Sequence, residues 1–141
     1  MRSGQPLFAM ARILIVEDNS DFARALTALL QWSGHEAHAI RDGGAALRAA
    51  ERLAPDVVIS DIELPSMNGN SLATALRHRY GDELRLVALT ADDDSGSRKR
   101  MEHAGFDAIL IKPASLEDIL EAIQQRTSAS DDMLTASNGV R

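Results

Sequence analysis

A chain of 141 residues fits one domain, and its 45% apolar and 26% charged residues match globular proteins rather than disordered or fibrous ones. The absence of cysteine excludes disulfides, thiolate zinc sites and cysteine nucleophiles. A net charge of −6 with only one Trp, one Tyr and three Phe argues against a nucleic-acid surface, and no apolar run is long enough to span a bilayer, so the expectation is a cytoplasmic protein without direct nucleic-acid or membrane contact.

Residues 1–11 read as a leader containing Gly4 and Pro6, with Met10 open to two readings, a start or an internal residue of an extension; no secretion signal is apparent. Ile13-Leu14-Ile15-Val16 is a short β-branched run, the pattern of a strand buried on both faces, and it stops at Glu17-Asp18. Asn19 or Ser20 can cap a helix with Phe22, Ala25, Leu26, Leu29 and Leu30 on one face, closed by Gly34. Glu36 to Ile40 is a weaker strand, followed by an alanine-rich helix from about Gly44 to Leu53 that ends before Pro55.

The pattern then recurs. Val57-Val58-Ile59 forms a strand ending at Asp61, and the Pro65 to Gly69 loop leads into a helix that turns Leu72, Ala73 and Leu76 inward. Leu84 to Leu89 gives a fourth strand ending at Thr90, then a charged helix ends near Gly105, and Ala108 to Ile111 gives a fifth strand ending at Lys112. A last helix begins at a Ser115 cap and buries Leu116, Ile119, Leu120 and Ile123. Residues 127–141 lack an apolar period and read as a flexible tail. Strand and helix alternate strictly, which implies an α/β fold: a doubly wound parallel sheet of five strands with five helices on its two faces.

In such a sheet every strand ends on the same edge, and ligands bind there. Glu17, Asp18, Asp61, Thr90 and Lys112 would therefore converge. Three carboxylates this close repel one another unless a cation intervenes. Magnesium suits them, because it takes a few carboxylate oxygens, keeps several waters and shares a phosphate oxygen. Asp61, on the middle strand, is the natural nucleophile toward phosphorus, giving an acyl phosphate. Lys112 supplies a point charge and Thr90 a hydroxyl for the transferring oxygens.

The acidic pair Glu17-Asp18, Asp61 followed by Leu64-Pro65-Ser66-Met67-Asn68-Gly69, Thr90-Ala91, and Lys112-Pro113 together resemble the receiver domain of bacterial two-component response regulators, the CheY-like superfamily, over about residues 12–126. The resemblance implies Asp61 as phosphoacceptor, Glu17 and Asp18 as the acidic Mg2+ site with the Glu63 carbonyl completing the metal shell, Thr90 as hydroxyl sensor and Lys112 as phosphate partner. It also implies strand order 2-1-3-4-5, a cis peptide before Pro113, a sensor histidine kinase or histidine phosphotransfer protein as donor, and a downstream protein that reads the fourth helix, fifth strand and fifth helix. Ile109 departs from the pattern, since the family usually has Tyr or Phe there to follow the threonine. Glu63 and Asp92 occupy positions where the family tunes acyl-phosphate hydrolysis, so their charges are expected to alter phosphoryl lifetime.

Other readings are set beside this one. Arg98-Lys99-Arg100 reads as a solvated helix face, and His35, His38, His78 and His103 as surface residues without ligand spacing. Asp61-Ile62-Glu63 loosely resembles the paired acids of haloacid-dehalogenase phosphohydrolases, but that class places its nucleophile on the first strand and adds a cap. A pseudo-receiver scaffold that binds partners without phosphorylation is the third alternative.

Overall fold

The computed structural model describes residues 10–124. The expected tail over 127–141 and most of the expected leader lie outside them. Ala11 is already tied into the domain, because its N–H donates to His35 Nδ1 at 3.0 Å and its carbonyl accepts from Glu36 N at 3.0 Å.

Five strands, β1 (Arg12–Val16), β2 (Glu36–Ile40), β3 (Val57–Asp61), β4 (Arg85–Thr90) and β5 (Ala108–Ile111), pair in parallel in the order β2-β1-β3-β4-β5. They alternate with α1 (Ser20–Trp32), α2 (Gly43–Leu53), α3 (Gly69–Tyr80), α4 (Ser95–Ala104) and a fifth helix, α5, over 116–124. A 3-10 turn, Gly81–Glu83, joins α3 to β4.

Successive strand residues point to opposite faces, so the apolar runs feed two cores. Leu14, Val16, Val58, Leu86 and Ala88 pack against α2, α3 and Met101 of α4. Ile13, Ile15, Ile59, Val87 and Leu89 pack against α1 and α5. The sheet is thus covered on both sides, as unbroken apolar strands require.

Side-chain caps start the helices: Asn19 Oδ1 accepts from Phe22 N at 3.0 Å, Asp42 Oδ1 from Ala45 N at 2.8 Å, Asp94 Oδ1 from Ser97 N at 2.7 Å, and Ser115 Oγ from Asp118 N at 3.0 Å. On α1 the buried face is Ala23, Leu26 and Leu30, with Phe22 half-buried. Ala25 is exposed and Leu29 is 43% exposed, so the expected stripe is rotated about the helix axis. His35 is buried rather than on the surface, because its ring receives the Ala11 N–H; His38, His78 and His103 are exposed.

Candidate functional site

The register brings the polar strand ends together. Val16 lies opposite Ser60, Asp61 opposite Leu89, and Thr90 opposite Ile111, so the ends of β1, β3, β4 and β5 form one rim. The strand order reverses between β1 and β3, where open α/β sheets place their crevice. Next to this point, a cleft of about 350 Å³ opens over the ends of β3, β4 and β5, lined by Asp61, Glu63, Thr90, Ala91, Asp92 and Lys112.

Lys112 Nζ donates to Glu17 Oε1 at 3.1 Å and to Asp61 Oδ2 at 3.3 Å. Glu17 is 2% exposed, and its other oxygen accepts from Asn19 N at 3.0 Å, so both carboxylate oxygens have donors. Asp61 Oδ1 accepts from Ile62 N at 2.7 Å. The Phe22 ring lies 5.4 Å from the ammonium and shelters it from one side. Burial pulls the Lys112 pKa down and is the largest single influence. The Glu17 hydrogen bond and the charges of Asp61 and Glu17 together outweigh it, so the pKa lies above the ordinary lysine value.

Asp18 stands apart from this pair. Its carboxylate is 53% exposed and lies 3.9 Å from Arg41 Nη2. Among the described residues no three acidic or imidazole side chains form a metal cage by themselves. A cage of that kind is not what Mg2+ needs, because one or two carboxylates, a carbonyl and retained waters suffice. Asp18, Asp61 and the Glu63 carbonyl are a hard-oxygen set of that kind, and the donor chemistry fits the ion.

Thr90 is buried, and its Oγ1 accepts from Asp92 N at 3.0 Å, so the hydroxyl is engaged with the loop that follows β4. Asp92 Oδ2 accepts from Ser97 Oγ at 2.6 Å, and Asp92 Oδ1 from Asp94 N at 3.2 Å. The Ser97 hydrogen bond first, then that of the Asp94 backbone, hold the Asp92 carboxyl below the usual range. Glu63 is exposed. Ile109 is half-buried and packs against the core on the α2, α3 and α4 side of the sheet. The Lys112-Pro113 peptide is cis.

The loop after β3 depends on Gly69. Its N–H donates to Ile62 O at 2.7 Å, and a Cβ there would sit 2.3 Å from the carbonyl oxygen of Asp61. Only glycine lets α3 begin this close beneath the candidate nucleophile. Sequence reasoning marked Gly69 as a loop residue and overlooked this contact, as it overlooked Asn19 N–H, Phe22 and Ser97, none of which carries a signal of its own.

A family model described as the response regulator receiver domain matches residues 13–124. The chain belongs to that family. The receiver is 34% identical over 121 residues to the DNA-binding response regulator MtrA of Mycobacterium tuberculosis, covering 86% of this chain and 52% of MtrA. It is 32% identical over 127 residues to the transcriptional regulatory protein PrrA of the same species, covering 90% of this chain and 54% of PrrA. The chain thus spans about half the length of the curated relatives it matches. Among solved structures, Vibrio cholerae chemotaxis protein CheY4 superposes with a TM-score of 0.78 at 29% identity, covering 83% of this chain and 98% of CheY4. A CheY-like receiver protein from Methanospirillum hungatei shares the fold, with a TM-score of 0.80 at 24% identity over 89% of this chain and 99% of its own. The phosphohydrolase and pseudo-receiver alternatives are not favoured: the family match spans 13–124, Asp61 ends the third strand rather than the first, and Asp61, Thr90 and Lys112 line one cleft.

Proposed function

We propose that this receiver, spanning residues 12–126, takes a phosphoryl group onto Asp61 from a phosphohistidine of a sensor histidine kinase or histidine phosphotransfer protein. The modification then changes the affinity of the domain for a downstream protein. The observation that carries this reading is the Lys112 ammonium, held between buried Glu17 and Asp61 at the mouth of the cleft that Thr90 also lines.

The transfer breaks the N–P bond of the phosphohistidine and forms an O–P bond to the Asp61 carboxylate, and the released imidazole nitrogen is left to take a proton from solvent. Ile62 N–H and Lys112 fix the carboxylate in place before reaction, so little reorganisation is needed. Lys112 remains close enough to balance negative charge on the transferring oxygens. Asp18, Asp61 and the Glu63 carbonyl, with Glu17 behind them, would hold Mg2+, which would supply further positive charge at those oxygens. Thr90 gives up the Asp92 N–H and turns its hydroxyl to the phosphoryl group. The domain turns over no substrate but itself, hydrolysing its own acyl phosphate with Glu63 and Asp92 at the rim.

A kinase donor implies a cytoplasmic setting. Among the described residues no helix is long and apolar enough to cross a membrane. The relative MtrA is a DNA-binding response regulator. For the receiver itself, a net charge of −6 supports a protein as the direct partner.

The test is intact mass after incubation with Mg2+ and acetyl phosphate. Wild type is expected to gain one phosphoryl group, and neither Asp61→Asn nor wild type with chelator is expected to gain any. Label on another residue, or steady hydrolysis of a small phosphate monoester, would overturn the reading. Trp32 is 84% exposed at the far end of α1, so its fluorescence is a poor substitute for mass.

A further inference from the structure

We propose that the groove between α3 and α4 is a docking surface for an acidic segment of a partner protein, and that its grip is set from the phosphoacceptor cleft through Thr90, Asp92 and Ser97. The second half of this proposal rests on the phosphorylation reading above; the first half does not.

The groove is shallow and open, about 550 Å³, with Asn70, Ser71 and Thr74 on one side and Lys99, Arg100 and His103 on the other. Thr74 Oγ1 lies 3.0 Å from Asn70 O and 3.4 Å from Ala104 O, closing the floor between the helices. Ser71, Thr74, Lys99, Arg100 and His103 are all exposed. The chain has 21 Asp and Glu against 15 Lys and Arg, yet no carboxylate lines this groove. A local cationic cleft on an acidic domain attracts short acidic segments, while the net negative charge of the rest of the domain opposes close approach of a second copy.

The cations are too few for a nucleic-acid backbone, where specific sites make about six to ten phosphate contacts. An acidic helix is a better match. Lys99 and His103 are one helical turn apart, so carboxylates at i and i+4 of the partner can face them. The lining also offers Ala104 to an apolar side chain.

The groove is joined to the cleft by hydrogen bonds. Arg100 Nη2 donates to Ser97 Oγ at 2.9 Å, Ser97 Oγ donates to Asp92 Oδ2 at 2.6 Å, and Asp92 N donates to Thr90 Oγ1 at 3.0 Å. Ile109 has no aromatic ring to carry motion from Thr90 along β5, which leaves this path along the β4–α4 connection. Once Thr90 turns to a phosphoryl group, Asp92 N–H loses its acceptor, the loop loosens, and Arg100 is freed toward the groove.

The probe is a fluorescein-labelled helical peptide of Glu, Leu and Ala at low ionic strength, with its Gln-for-Glu counterpart and a duplex oligonucleotide as competitors. The acidic peptide is expected to bind, and the Gln peptide and the duplex are not. Reversing Lys99→Glu and Arg100→Glu together is expected to weaken binding by about tenfold or more, whereas Arg24→Glu on α1 leaves it unchanged. Equal binding of the Gln peptide, competition by the duplex, indifference to the reversals, or self-association through the groove by light scattering would each overturn the docking surface.

For the coupling, Mg2+ with beryllofluoride is expected to tighten peptide binding about fivefold or more, and Ser97→Ala is expected to abolish the change while still gaining a phosphoryl group by mass. Modification of wild type without a change in affinity overturns the coupling alone. Absence of modification overturns both the coupling and the phosphorylation reading, and leaves the groove to stand on its own titration.

Discussion

Lys112 and Glu17 are 95 residues apart in the chain and 3.1 Å apart in the fold, and the ammonium that reaches Glu17 also reaches Asp61. This pairing balances charge at the rim, and removing the ammonium leaves Glu17 buried with one carboxylate oxygen unmatched. Lys112→Met is expected to lower stability by about 1–3 kcal/mol, the cost of an orphaned buried acceptor. Adding Glu17→Gln should restore part of that loss. Urea midpoints of the two single variants and the double variant check it, and strict additivity would refute the pairing.

The same contact sets a limit at high pH. Burial lowers the Lys112 pKa, but Glu17 and Asp61 raise it further, so the folded value lies above the unfolded one. The stabilisation is then fully present below the unfolded lysine value of about 10.4 and is lost as pH rises through the folded value. Wild type is expected to lose urea resistance above that pH more steeply than Lys112→Met. Parallel curves would count against the raised pKa.

Two glycines should respond in opposite senses to the same change. At Gly69 an added Cβ meets the Asp61 carbonyl at 2.3 Å, whereas at Gly44 nothing lies nearer than Asp42 Oδ1 at 3.5 Å. Gly69→Ala is expected to cost about 1–3 kcal/mol or more through backbone displacement, and it should also slow acetyl phosphate labelling, because the displaced atoms belong to Asp61 and Ile62. Gly44→Ala, inside α2, should be neutral or stabilising by up to about 1 kcal/mol. Denaturation midpoints and labelling rates together separate the two.

The strands were legible because residues buried on both faces leave unbroken apolar runs, as at Ile13 to Val16 and Val57 to Ile59. The site was legible for a related reason, since parallel strands share an edge and each run stops at a residue with chemistry. Asp18 was not legible in the same way. Past the end of β1 at Val16 the two side chains part, Glu17 turning inward to Lys112 and Asp18 lying beside Arg41. The face of α1 also escaped periodicity, because its many Ala and Leu residues offer two stripes, and only contact with the sheet selects Ala23, Leu26 and Leu30. His35 followed no local pattern, because its burial depends on the N–H of Ala11, 24 positions away.

That bond to Ala11 makes His35 sensitive to acid. Nδ1 can accept the N–H only while it carries no proton, and burial pushes the ring's pKa below its ordinary value of 6.5. The folded pKa is therefore the lower one. The stabilisation is present above the unfolded value and is lost as pH falls from about 6.5 toward the folded value. The domain is expected to lose urea resistance between neutral and mildly acidic pH, and His35→Gln should flatten that part of the curve. The ring is also expected to titrate below its ordinary value of 6.5 when followed by proton NMR. Glu117, Asp118 and Glu121 line the adjoining cleft with His35, so a ring that titrates above 6.5 would mean that their negative charge outweighs burial.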